Sequence, residues 1–307
     1  MRRFGTWLRQ NADGFLALVI AGTIGLLGLL EVFGPDLLGT GEEGGEAVDA
    51  AILLVLALLA ATLLRDRRHQ ARAVADANAV RLVHGSDIAR LHADAHHGTD
   101  LWMFKGGTGS YLRAVTIKEC VANARRAKRP MQMQIEIIDP TDDALCTEYA
   151  KYRSSLSPGP DGTGETWTAE RARREAFATV LAACWYRERF TFLRVDLALS
   201  AVMTTFRWDL SSRWVIMTQE DPSAFAVQFQ RDTPHYRSYD RELVASFDQA
   251  RRVDVALVRD LRLSEEPSVD EARTLFTTLQ LPLPESFTDD DVSDTLSRAL
   301  QPKNPYG

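Results

Sequence analysis

Two uninterrupted apolar runs stand near the start of the chain, and amphipathic patterns follow them. The first, Gly14 to Phe33, reads GFLALVIAGTIGLLGLLEVF and carries no charge from Phe15 to Leu30. The second, Val48 to Leu64, reads VDAAILLVLALLAATLL. A bilayer crossing takes roughly 20 mostly apolar residues, and in hydrocarbon the backbone must satisfy its own hydrogen bonds. Both runs are therefore expected as helices of a transmembrane hairpin over residues 1–65. Arg2, Arg3 and Arg9 precede the first run, Arg65, Arg67, Arg68 and Arg72 follow the second, and the connecting GTGEEGGE has no Lys or Arg. Basic flanks stay inside. The expected location is a multi-pass protein of the plasma (inner) membrane with both termini cytoplasmic and the lipid bilayer as a partner.

From Arg65 to His97 an Ala-, Arg- and His-rich segment reads as a linker helix over 66–99, interrupted at Gly85 with Ser86 capping a second piece. His92 and His96 share a helix face, as zinc ligands do. No third ligand accompanies them, so a solvated helix end is the favoured reading and no metal or other cofactor is expected.

Residues 100–260 read as an α/β domain. LWMFK is a buried strand. YLRAVTIKECVANARRAKR is a helix, and MQMQIEII alternates as a strand does. DDALCTEYAKYRSSL is a helix, the Pro- and Gly-rich SPGPDGTGE a loop, and TAERARREAFATVLAACWYRER a second amphipathic helix. Four strand candidates then run consecutively: TFLRVDLAL, AVMTTFRW, RWVIMT and AFAVQF. SYDRELVASFDQARRV is a helix, and VDVALV is either a strand or its continuation. Alternating, then consecutive, strands predict a mixed sheet covered by helices. Residues 261–307 form an acidic helical extension, with two short helices around PLPES. Its charge is read as that of a solvated tail.

The chain has 307 residues and a net charge of −6. With no long basic block past the apolar runs, a nucleic-acid partner is not expected. Cys120, Cys146 and Cys184 lack metal-ligand spacing and read as buried apolar residues.

The best local candidate for chemistry is the turn Lys105, Gly106, Gly107, Thr108, Gly109 and Ser110, between a strand and a helix that carries Arg113. Glycines let backbone N–H groups approach an anion, a helix N-terminus adds partial positive charge, and Lys105 and Arg113 add full ones. The turn meets neither the P-loop nor the dinucleotide fingerprint, and a plain tight turn is the commoner explanation. Lys105, Gly106, Gly107, Gly109, Ser110 and Arg113 are the candidate ligand-binding residues. Asp139, Asp142 and Asp143 follow a strand, where α/β sites often lie, though Asp142 also suits a helix cap.

Element order and short phrases make the stretch from about Leu101 to Val253 resemble one half of a phospholipase D-like domain. The resemblance rests on WMFKGGTGSYLR, IEIIDP with its helix, FRWDLSSRWVIMTQEDP, AVQF and ELVASFDQA. It implies a strand pair bearing an H-x-K-x4-D signature, whose His attacks phosphorus and whose Lys holds phosphate oxygens. At that place this chain has Thr204, Phe206 and Arg207, and no His or Lys. His235-Tyr236-Arg237 with Asp240 has Arg for Lys and the wrong Asp spacing. The implied domain is degenerate and lacks the nucleophile.

The expected function is a membrane-anchored cytoplasmic sensor or binding module. It is non-hydrolytic, recognises a phosphate-containing ligand or a protein, and pairs as a homo-oligomer. Two alternatives stand beside it: a membrane-bound phosphodiesterase or nuclease-like hydrolase using Asp139, Asp142, Lys105 and Arg113, and a membrane-acting effector triggered by its soluble domain.

Overall fold

A computed structural model describes residues 79–156, 165–221 and 223–304, together with 55–67 and the single positions Thr23, Ile52 and Gln70. The chain divides into two compact units, Met1–Ala77 and Asn78–Gly307.

The first unit corrects the membrane expectation. No helix among the described residues is long and apolar enough to cross a membrane. The two-span hairpin and the multi-pass inner-membrane location are therefore overturned. The first apolar run, apart from Thr23, and the Pro- and Gly-rich stretch over 157–164 lie outside the described residues.

The second unit is an α/β domain on a mixed sheet of eight strands, ordered β1-β7-β6-β5-β2-β3-β4-β8. The strands are β1 Val80–Val83, β2 Leu101–Lys105, β3 Met131–Ile138, β4 Leu193–Ser200, β5 Phe206–Ser211, β6 Trp214–Gln219, β7 Ala226–Gln230 and β8 Arg251–Val253. β2, β3 and β4 are parallel, and the remaining pairings are antiparallel. The helices are α1 Ser86–His96, α2 Ile117–Ala127, α3 Asp143–Leu156, α4 Ala169–Arg189, α5 Pro234–Gln249, α6 Val269–Thr278 and α7 Asp289–Leu300. A π turn, Leu112–Thr116, leads into α2.

Side chains alternate across β2. Trp102 and Phe104 join the larger core with α1, α2, α4, α6 and α7, while Met103 joins a smaller core with Leu210, Val215, Val227, Phe229 and Leu243 of α5. α4 is buried over most of its length, which Ala172, Ala176, Ala178, Ala182 and Ala183 permit by letting neighbours approach closely.

Two further expectations are corrected. The linker helix over 66–99 gives way, from Val80, to an edge strand paired with β7 and a helix of the domain. Gly85, with φ at 54°, is the N-cap of α1, and Ser86 is its first residue. The acidic C-terminal segment is no solvated tail. Leu275, Phe276, Val292, Leu296 and Ala299 are buried in the larger core, and the Phe276 ring lies edge-on to Phe177 of α4 at 5.1 Å. Its acids serve the helix ends, where Ser268 with Glu271 and Thr288 with Asp291 form capping boxes.

Candidate functional site

A cleft of about 200 Å³ opens at the carboxyl end of β2, where ligands of α/β sheets commonly lie. Part of the glycine-rich turn, the π turn, α3, the start of α4, the ends of β5 and β6, and α7 contribute its lining. Among the described residues, the cationic side chains of Arg113, Arg153, Arg171, Arg207, Arg298 and Lys303 face it, with the carboxylates of Glu165, Glu175, Glu220 and Asp294.

Arg113 reaches the cleft from the π turn, a local irregularity that recurs at functional sites. It is buried and ion-paired with Glu175. It also donates to the Glu175 carbonyl and to Thr179 Oγ1, each at 2.8 Å, and to the Arg298 carbonyl at 2.6 Å. Ser110 donates to the same Glu175 carboxylate at 2.9 Å. Burial pushes the Glu175 carboxyl up, but Arg113 and then Arg298 outweigh it and hold it down at about 2. On the opposite wall Arg153 pairs with Glu220, which also accepts from Tyr149 at 3.2 Å. The Arg153 and Arg171 guanidiniums stand 4.5 and 4.2 Å from the Trp167 ring centre.

The floor is Arg207 of β5. Its Nε donates to Asp209 at 3.0 Å, its guanidinium lies 5.0 Å from the Tyr111 ring centre, and one terminal nitrogen donates to His92 Nε2 at 3.3 Å. Arginine has no lone pair to accept with, so His92 is the neutral tautomer protonated at Nδ1. That nitrogen is buried and meets no hydrogen-bond partner among the described residues. Asp209 also accepts from Trp102 at 3.1 Å. Burial lowers the His92 pKa well below the usual value, and Arg207 adds to the effect; burial likewise brings His96 down to about 4. The solvated helix end expected for these histidines is thus corrected. Both are core residues of α1, and His96 bonds Thr116 Oγ1 at 3.2 Å.

The six candidates read from the sequence do not converge. Gly109, Ser110 and Arg113 line the cleft. Lys105 is turned toward α5, where it donates to Ser246, which in turn donates to Glu136 at 2.8 Å. The glycines have packing duties. A Cβ on Gly106 would stand 2.9 Å from the Phe104 ring, one on Gly107 would collide with Tyr149, and Gly109 holds φ at 76°. The Gly106 N–H donates to the Glu136 carbonyl.

Asp139 is clamped by Arg251 through contacts of 2.7 to 2.9 Å, and Asp142 accepts from the Leu145 N–H at the start of α3. Asp143 pairs with Arg173. Sequence reasoning missed Arg153, Arg171, Arg207 and Arg298, whose signal was only their place on helix and strand faces. Compared with known proteins, the chain matches no family model and no curated protein.

Proposed function

We propose that the domain is a binding module for a small ligand bearing an oxyanion, a phosphate or a carboxylate, and that it does not turn the ligand over. The observation that carries this reading is the cleft itself, where, among the described residues, Arg113, Arg153, Arg171, Arg207, Arg298 and Lys303 converge beside aromatic Tyr111, Tyr149 and Trp167. Arginine suits such a role because its planar fork matches an oxyanion with two parallel N–H bonds. The floor arginine is held by Asp209 and His92, so little freedom is lost when it binds.

The resemblance to a phospholipase D-like half agrees with this reading. There the corresponding strands hold phosphate, whereas here the nearest basic residue is Arg207, and the histidine beside it, His92, is a buried residue of α1 whose Nε2 accepts from that arginine. The hydrolase alternative is disfavoured by geometry. Asp139 is tied to Arg251, Asp142 caps α3, Lys105 is engaged under α5, and Arg113 is bound to Glu175.

The test is the thermal midpoint of the full chain against inorganic phosphate, sugar phosphates, nucleotides and small carboxylates. A ligand at 100 times its dissociation constant stabilises by about 2.7 kcal/mol. The expected result is a rise that Arg153→Gln abolishes and Lys105→Ala preserves. A rise lost in Lys105→Ala but kept in Arg153→Gln would move the site to the other face of the sheet, and no rise with any ligand would remove the reading.

A further inference from the structure

Beyond α7 the chain runs along the rim of the cleft. The helix ends at Leu300, and Gln301, Pro302 and Lys303 all line the opening. Residues of the cleft hold the start of this segment in place. The last turn of a helix leaves its carbonyls without intrahelical partners. Here the Arg298 carbonyl accepts from Arg113 Nε at 2.6 Å, and the Ser297 carbonyl accepts from the Gln301 N–H at 2.8 Å. Pro302 follows at once, and its fixed φ and missing N–H keep the helix from continuing. Lys303 is thereby brought to the rim, where it is exposed.

Lys303 differs from the other cations of the cleft. Every arginine that lines it stands in an ion pair, from the buried Arg113–Glu175 pair to the more exposed Arg298–Glu165 one. Every carboxylate that lines it belongs to such a pair as well. Among the described residues no carboxylate pairs with the Lys303 ammonium. A paired guanidinium still has N–H groups to offer a ligand, but its charge is already matched. An unpaired ammonium offers the charge itself, as a compact point on a flexible stem.

We propose that Lys303 is the specificity-determining residue of the cleft: it supplies the counter-charge for the ligand's oxyanion, while the arginines supply directional hydrogen bonds. The proposal rests on the binding reading above and deepens it, because it narrows the ligand class. The ligand is a small anion without a cationic group of its own. An ammonium on the same molecule would be repelled by Lys303, and each carboxylate able to hold it is already held by an arginine. A lysine just past a helix C-terminus also complements the helix dipole. That role alone predicts lost stability without ligand, and no change in affinity.

The experiment titrates inorganic phosphate, acetate and glycine separately into the full chain at neutral pH and low ionic strength. It compares wild type with Lys303→Gln, Lys303→Arg and the charge control Lys128→Gln. α2 runs from the carboxyl end of β2 to the amino end of β3, so Lys128, just past its end, lies away from the cleft. Lys303→Gln should bind phosphate and acetate about two- to fivefold more weakly, the range of an exposed ion pair. Lys303→Arg should restore the affinity, and Lys128→Gln should match wild type. Added salt should weaken wild type more than Lys303→Gln. Without ligand, Lys303→Gln should keep a thermal midpoint close to wild type, having no ion pair to lose. Glycine, which adds an ammonium to acetate, should bind wild type more weakly than acetate does.

Wild-type affinity in Lys303→Gln overturns the inference, and the cleft reading stands if Arg153→Gln still abolishes ligand stabilisation. Equal weakening in Lys303→Gln and Lys128→Gln shows a net-charge effect and also overturns it. Glycine binding as tightly as acetate does the same. Failure of every variant and wild type to bind any of the three probes overturns it too, and the wider ligand panel then judges the cleft.

Discussion

At the scale of single residues, the glycine-rich turn shows how one signal supports two physical explanations. Glycines between a strand and a helix suit an anion cradle, and they suit equally a backbone pressed against its neighbours. Here the neighbours are Phe104, Tyr149 and Thr179. Tyr149 and Thr179 come from α3 and α4, so the choice depends on tertiary contacts that no local pattern contains. Gly109 and Gly98 allow the two costs to be separated. Both have φ near 75°, but a Cβ on Gly109 would lie 2.9 Å from Thr179 Cγ2, and one on Gly98 would meet nothing closer than 3.9 Å. Gly98→Ala should lose about 1 kcal/mol from backbone strain alone. Gly109→Ala should lose roughly 1–3 kcal/mol more, since the buried neighbour cannot yield. Urea unfolding of the two variants checks the difference, and equal losses would remove the packing account.

At the scale of elements, what was legible followed periodicity. The alternation of MQMQIEII, the amphipathic spacing of Phe177, Val180, Leu181 and Cys184, and the consecutive late strands all became elements close to the places read from sequence. The failures are equally specific. Val80–Val83 is too short to show a period, and its pairing partner lies far along the chain in β7. The acidic composition after Ser264 hid Leu275, Phe276, Val292 and Leu296, because a count of charges ignores which face they occupy. The cleft was half legible: Gly109, Ser110 and Arg113 belong to it, but its other arginines are drawn from α3, α4, β5 and α7.

The ties between these elements set the response to acid. His96 of α1 has its pKa lowered from 6.5 to about 4, and Glu175 of α4 from 4.5 to about 2. In both cases the unfolded chain takes up a proton before the folded one does, so stability rises with pH across each interval. The contribution of His96 is full above 6.5 and drains as pH falls to about 4. That of Glu175 is full above 4.5 and drains toward 2. The expected profile of unfolding free energy is therefore a two-stage decline on acidification. Glu175→Gln should make the lower stage shallower, leaving the share of Glu271, which the Ser268 and Ser264 N–H groups also hold at about 2, and should leave the upper stage, as measured by urea unfolding at a series of pH values. A profile level from pH 7 to 4 would contradict the buried neutral state of α1.

At the scale of the whole molecule, the boundary that matters is between Ala77 and Asn78, and it is not the boundary at residue 100 that composition suggested. The difference is β1 and α1. Gln230 donates to the Ala79 carbonyl, so β7 has its edge closed from the first residues of the second unit. Val83, Leu91 and Ala95 are part of the larger core. Above all, His92 and His96 lie against Arg207, Trp102 and Thr116. A chain beginning at Asn78 keeps all of these, and should unfold in one cooperative transition. A chain beginning at Asp100 uncovers apolar core and removes the histidine that accepts from Arg207. Truncating a buried Leu costs about 2–5 kcal/mol by mutational analogy, and Leu91 is lost here together with Val83, Ala95 and the two buried histidines, against a total stability of about 5–15 kcal/mol for a domain. The shorter fragment should therefore lack a sigmoidal transition and bind hydrophobic dye, while the longer one behaves as a two-state domain. Guanidinium unfolding of both fragments, followed by circular dichroism, decides the matter. If the fragment from Asp100 unfolds with the same midpoint as the one from Asn78, then α1 is an accessory, and the floor arginine of the cleft does not depend on His92 for its place.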